Sequence, residues 1–467
     1  MPGLYASLNN TVKALSAHSR AIEIAGKNLA NVNNPAYARQ RVIYGDRGTI
    51  QTPEGTESLG LEARSIQQLR DALLDKQVAR EISLKTSFET EQQAYQRAQA
   101  ALGQNIDRTT DSTGSATGVG AAIDDFFNSF ETLAARPTDQ GERQVLLQKG
   151  SILTDRLRQA DNRLAQMQTN IDLGIASNVT EANRLLTAIA DLNKQIGRFE
   201  LNVPSSAVDL RDQRQARIEE LAAILPVDTR DMGNGQLQVV VKDSSNADII
   251  IVDQSAVNGT VAFTGTGLTA GLPATGVALS AGSIYGALSA RNGAVQSLRS
   301  SLDLLARQFV TSVNGAYNPT AGTGDFFNAT GLTAATIALQ SGLTASSIKS
   351  SDGGAAGDNS IATAVALLAS QKFSTSGGDS IDGTFSQYYS NTVSNLGQAL
   401  NSANAKVADQ TNIERLVRQQ RESISSVSLD EEMADLVRFQ RAFQASSRVF
   451  TVIDDLLDVV VNRLGRG

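Results

Sequence analysis

The chain has 467 residues, of which 41% are apolar and only 5% aromatic, and its formal charge is −7 with no strongly charged tail. That length admits several domains and that apolar fraction admits real cores, while the acidic balance offers no basic surface for nucleic acid. With His18 as the only histidine and no cysteine, thiol nucleophiles, thiolate metal sites and two-histidine zinc sites are excluded, and a histidine-based triad would hang on one residue.

Residues 3–31 predict an amphipathic helix, with Leu8, Leu15, Ile22 and Leu29 one heptad apart. The run Asn31-Val32-Asn33-Asn34-Pro35 ends it, because a proline disfavours helix at the preceding residue. An extended stretch around Val42, Ile43 and Tyr44 follows. Residues 61–104 are expected to form a long helix, and 107–120 a Ser/Thr/Gly loop. A helix over 121–135 leads to a strongly helical segment, 139–200, whose apolar stripe calls for burial in a bundle of rods. One more helix, 208–225, stops at Pro226.

Strands are expected next. Asn234-Gly235 precedes Leu237, Val239 and Val241, and Asn258-Gly259 precedes Val261 and Phe263, each pair a turn signal ahead of an extended run. Helix returns over 284–315, residues 318–360 are polar and small with short strand candidates, and the final helices are expected at 384–425 and 429–464.

The last of these helices carries the sharpest pattern. Leu436, Phe443, Phe450, Leu457 and Leu464 recur every seven residues, and Phe439, Ile453 and Val460 sit three residues after members of that set. Together they form an a/d seam, broken mainly by Ser446, of the kind that lets one helix zip along another. Ser428 and Glu431 have the spacing of a capping box at its start. The acidic run Asp430-Glu431-Glu432 then complements the helix dipole, which explains it better than a metal site does. Gly265, Gly267 and Gly271 miss the dinucleotide fingerprint by one residue, and Val277 stands where a phosphate-binding loop needs lysine. No stretch approaches the roughly 18 apolar residues of a membrane span. The fold class expected is mainly α with a β-rich insert, an elongated multidomain protein with terminal coiled-coil helices. The domains would be a terminal assembly domain of residues 1–60 with 410–467, a long-helix bundle of 61–225 with 284–317 and 366–409, and an outer β-rich domain of 226–283 with 318–365.

Four blocks carry a family resemblance. Gly26-Lys27-Asn28-Leu29-Ala30-Asn31-Val32-Asn33-Asn34-Pro35-Ala36-Tyr37 resembles the rod-and-hook signature of flagellar axial proteins, with Ala36 where glycine is common. The stretch from Val427 to Ser446, containing Ser428-Leu429-Asp430-Glu431-Glu432-Met433-Ala434, is similar to the C-terminal end of the hook-associated protein 1 family. Asp209-Leu210-Arg211-Asp212-Gln213-Arg214 and Gly282-Ser283-Ile284-Tyr285-Gly286-Ala287-Leu288 separate that family from rod and hook subunits.

The resemblance implies a structural subunit joining hook to filament, with no enzymatic activity and no cofactor. It implies export through the flagellar type III apparatus to the extracellular flagellum. The partners implied are further copies in a ring at the hook tip, the hook protein, the second junction protein and an export chaperone on the C-terminal helix. Nucleic acid and membrane insertion are not expected. The seam residues Leu8, Leu15, Ile22, Leu29, Leu436, Phe439, Phe443, Phe450, Ile453, Leu457, Val460 and Leu464 would then be the assembly interface. Another axial protein, or a secreted coiled-coil adhesin or effector, is the competing expectation.

Overall fold

The computed structural model describes residues 2–34, 36–46, 48–52, 55–58, 60–102, 118–201, 203–320, 324–355 and 357–460. In chain order its elements begin with α1 (Pro2–Ala30), β1 (Gln40–Asp46), β2 (Thr49–Thr52), β3 (Gly55–Ser58), β4 (Leu61–Gln68) and α2 (Ala72–Ala101). Three helices follow, α3 (Val119–Ala135), α4 (Gln140–Phe199) and α5 (Val208–Ile224). The strands β5 (Asp228–Asp231), β6 (Leu237–Lys242), β7 (Asp248–Asp253), β8 (Ala256–Val257), β9 (Ala262–Phe263), β10 (Leu268–Ala270) and β11 (Thr275–Gly276) come next. Then come α6 (Gly282–Ala290), α7 (Gln296–Tyr317), α8 (Ser360–Leu367), α9 (Phe385–Ser425) and α10 (Leu429–Asp458). The fold is thus mainly helical with small sheets. The segment expected at 139–200 is one uninterrupted helix of 60 residues, Gln140–Phe199.

The chain divides into two compact units. Unit one comprises Met1–Lys85, Asn178–Gly282 and Gln410–Gly467, and unit two comprises Thr86–Ser177 and Ser283–Asp409. The segments 226–283 and 318–365, expected together in one outer domain, therefore fall almost entirely into different units.

Unit one holds both chain ends. Helix α1 packs along α10, and its other flank lies on β1 and β4. Strands β1 and β4 pair antiparallel, with Gln40 opposite Gln68 and Asp46 opposite Leu61, and β2 pairs with β3. Residues 61–68, expected as the start of a helix, are therefore a strand. Their alternation was weak, and it is the partner strand far back in sequence that decides the conformation. Further along, β5-β6-β7-β8 form an antiparallel sheet and β11-β10-β9 a smaller one. Val239, Val240 and Val241 of β6 and Ile251 and Val252 of β7 are buried.

Unit two is built on an aromatic cluster. Phe126 lies 5.1–5.6 Å, centroid to centroid, from the rings of Phe127, Phe130, Phe309, Phe326 and Phe327. Phe385 stacks on Phe127 at 5.6 Å. Leu146, Leu153, Leu157 and Leu164 of α4 bury the stripe visible in the sequence. Phe326, Phe327, Ile337 and Ile348 are also fully or almost fully buried, so 318–360 is a core-forming excursion of unit two and carries no named strand among its described residues. A π turn at Arg291–Val295 separates α6 from α7 where one helix was expected. The Gly282–Leu288 block is explained by close approach. A Cβ on Gly286 would sit 2.1 Å from the Ser87 carbonyl oxygen, so no other residue lets α6 lie this close to α2.

Candidate functional site

Three of the four family-like blocks, 26–37, 209–214 and 427–446, meet in unit one at a polar junction that ties the two chain ends together. Asn28, in the last turn of α1, is buried and makes four hydrogen bonds. Its Nδ2 donates to the Gln40 carbonyl (2.8 Å) and to Glu432 Oε2 (3.0 Å). Its Oδ1 accepts from the Tyr37 hydroxyl (2.8 Å) and the Gln40 backbone N–H (3.0 Å). This satisfies the full capacity of the amide. Glu432, buried in the first turn of α10, uses its other oxygen to accept from Arg39 Nε at 2.7 Å, and Arg39 Nη1 donates to Glu431 at 2.7 Å. The Arg39 backbone N–H donates to the Ser425 carbonyl at the end of α9 (2.9 Å). One short segment, 36–40, thus joins α1, α9 and α10.

The same segment is tied to α5. Gln40 Nε2 donates to Asp209 Oδ1 (2.9 Å), and the Ala38 N–H donates to Asp212 Oδ2 (3.4 Å). Arg70 bridges Asp75 (3.0 Å) and Asp212 (2.6 Å), and donates to the Ala36 carbonyl. Arg421 of α9 reaches Glu219 at 2.5 Å and Asp75 at 3.6 Å. Burial pushes the Asp212 carboxyl up to about 6, against the pull of Arg70, and raises Asp75 in the same way. On the opposite side of α5, Arg211 forks onto Glu200 (2.8 and 2.6 Å) and Arg214 donates to Asn193 Oδ1 and the Gly235 carbonyl. Burial alone would raise the Glu200 carboxyl, but the Arg211 fork more than offsets it and holds it below its usual value.

The seam residues are placed as follows. On α1, Leu8, Leu15, Ile22 and Leu29 are half-buried. On α10, Leu436, Phe439, Phe450, Ile453, Leu457 and Val460 are half-buried, Phe443 is exposed at 37%, and Leu464 lies outside the described residues. The covered face of α10 passes through Ala442 and Ser446 beside Phe443. On α1 the most covered residues are Ala17, Ala21, Ile24, Ala25 and Asn28, which the heptad reading missed. Their signal was there: alanines at steps of four permit close approach to a neighbouring element. The capping box is corrected. Ser428 occupies the N-cap of α10, but its side chain makes no capping bond, and the Glu431 carboxylate that would reach back to it is engaged by Arg39 in a charge-assisted contact. His18 is half-buried, and burial lowers its pKa. Among the described residues no cluster of three or more His, Asp or Glu is placed to hold a metal, and no helix is long and apolar enough to cross a membrane.

The chain's chemistry at this site is therefore that of a fastener, in which hydrogen bonds and ion pairs close one end of the chain onto the other. Residues 418–464 match the family model described as the flagellar basal body rod FlgEFG protein C-terminal, and residues 103–324 match that of the flagellar hook-associated protein FlgK helical domain. The chain is 26% identical to the flagellar hook-associated protein 1 of Bacillus subtilis over the full length of both. It is 22% identical to that of Escherichia coli, covering 97% of this chain and 99% of the relative. The fold is like that of the flagellar hook junction protein FlgK from Burkholderia pseudomallei, with a TM-score of 0.60 and 14% identity over 75% of this chain and 100% of that one. The paired ends and these matches define a flagellar axial protein. Within that class the chain is similar along its full length to the hook-associated protein 1 family.

Proposed function

We propose that this chain is the flagellar subunit that joins hook to filament, an extracellular axial component that assembles with other axial proteins through its terminal helices. The observation that carries the reading is a second apolar ridge on α10. With one face already laid on α1, the helix still exposes Val449, Val452, Leu456 and Val459, at steps of three and four, with Val452 58% exposed. Tyr5 and Val12 extend exposed apolar surface along α1. A helix pair that keeps a free apolar ridge is built to pack again, and each large side chain so buried contributes about 1.5–3 kcal/mol. The occupants are further copies of the chain in a ring, with the hook protein on one side and the second junction protein on the other. Before export the same ridge offers a site for a chaperone. Export proceeds through the flagellar type III system, and no catalytic role is assigned. The domains that go with this reading are the terminal assembly domain, the helical bundle and a strand-rich region that takes in residues 226–283 but not 318–365.

Immunogold labelling of intact flagella from the source cell tests the position. The expected result is a single narrow band where hook meets filament. Label spread along the filament, or confined to the rod, would overturn it.

A further inference from the structure

Beside α5, unit one contains a cavity of about 300 Å³ walled by Arg70, Lys76, Arg211, Arg214, Asp75 and Asp231, among others. Three of the four cations are matched by carboxylates. Arg70 has Asp75 and Asp212, Lys76 has Asp228 at 3.2 Å, and Arg211 has both oxygens of Glu200.

Arg214 is different. It is only 5% exposed, and its Nη1 spends its two hydrogens on neutral acceptors, Asn193 Oδ1 at 2.7 Å and the Gly235 carbonyl at 2.8 Å. Among the described residues, no acceptor meets its Nε or Nη2, and no carboxylate lies within ion-pair distance of it. Both nitrogens remain reachable, since neither is among the enclosed, unpartnered polar atoms, a set that does include Arg70 Nε. Burial, reinforced by the neighbouring Arg211 charge, lowers the Arg214 pKa to about 10, and the more distant Asp231 and Glu200 carboxylates offset this only in part. The Nε–Nη2 edge is the one a guanidinium uses for two parallel bonds to an oxyanion, and Arg211 uses that edge on Glu200 one helical turn away.

We propose that this cavity binds a small oxyanion, a phosphate or a carboxylate, held by the Nε–Nη2 edge of Arg214 in the field of Arg211 and Lys76. Such a ligand would complete the tie between α5, the end of α4 and the β5–β6 turn. Asp231 in the cavity wall is exposed, and among the described residues its carboxylate accepts just the Gly233 N–H (2.9 Å), so its charge opposes the ligand.

The test is a thermal-shift titration of the full chain with inorganic phosphate and, separately, acetate, at an ionic strength held constant with chloride. The expected result is saturable stabilisation that chloride does not reproduce. Response to phosphate alone assigns a phosphate, and response to acetate as well assigns a carboxylate. Asp231→Asn removes the opposing charge and is expected to tighten binding several-fold. Arg214→Lys cannot supply both the Nη1 bonds and a free two-nitrogen edge, and weakens binding roughly tenfold where it folds. Absence of a saturable response to either anion overturns the proposal. So does an affinity that Asp231→Asn leaves unchanged, or one that a folded Arg214→Lys leaves undiminished.

Discussion

Asn28→Ala tests the junction most sharply within the isolated chain. The substitution removes four hydrogen bonds, to Gln40 twice, Tyr37 and Glu432. Glu432 keeps Arg39, so no charge is left unpaired and the penalty is that of neutral groups. At about 1 kcal/mol net for each bond the loss is about 4 kcal/mol. A cavity of about 300 Å³ bordered by Asn28, Arg39, Gln40 and Glu432 admits water to some of the stranded groups and sets a lower figure of about 2 kcal/mol. The matched control is Asn31→Ala, three residues on in the same block, whose side chain bonds the Lys27 carbonyl one turn back. Its loss is expected to stay under about 1 kcal/mol. Urea denaturation combined with site-resolved amide exchange provides the readout. Asn28→Ala should lose protection in α1 and at the start of α10, and leave the exchange of α3 and α7 unchanged. Equal losses from the two substitutions, or a loss below about 1 kcal/mol for Asn28→Ala, would refute the view that this amide fastens the ends.

Three further outcomes follow from the same geometry. Phe126→Ala removes the central ring of the aromatic cluster, fully buried in unit two, and should cost about 3–5 kcal/mol in calorimetry while exchange at Asn28 is retained. Gly286→Ala places a methyl group against the Ser87 backbone, so the mutant should lose its unit-two transition near the wild-type melting temperature; an unchanged Tm would contradict the contact. Asp212 is raised from its usual value to about 6, so the folded state holds a proton there that the unfolded state has released. Its contribution is therefore favourable at low pH and is lost as pH rises from about 4 to 6, by up to about 3 kcal/mol. Asp212→Asn should flatten the stability profile across that window, and an identical slope in mutant and wild type would count against the burial argument.

Much of this was legible in the residues. The long α4 stripe, the paired ends and the helix after Pro226's strands all announce themselves through periodicity, because each is a regular surface buried against another. What was not legible depends on partners distant in sequence. Leu61–Gln68 is a strand only because β1 is beside it. The polar half of the site was visible as family blocks and not as chemistry. Nothing local in Asn28, Arg39, Asp212 or Glu432 says that they meet, since the bonds span up to 404 residues. The apolar seam predicted the element pair but drew attention to Phe443, which is partly exposed, and away from Ala17, Ala21 and Ala25, which are buried. Large residues at heptad spacing mark where a helix is sticky, whereas small ones mark where it comes close.

The central claim is that this chain assembles at the hook through its terminal helices. Its most direct test is to mix the purified, labelled protein with isolated hooks and image it beside Phe450→Asp, which places a charge on the half-buried face of α10. The wild type should label one hook end saturably, and Phe450→Asp should not, in a sample whose unit two remains folded. Equal end-labelling by both proteins, or wild-type label scattered along the hook, would contradict it.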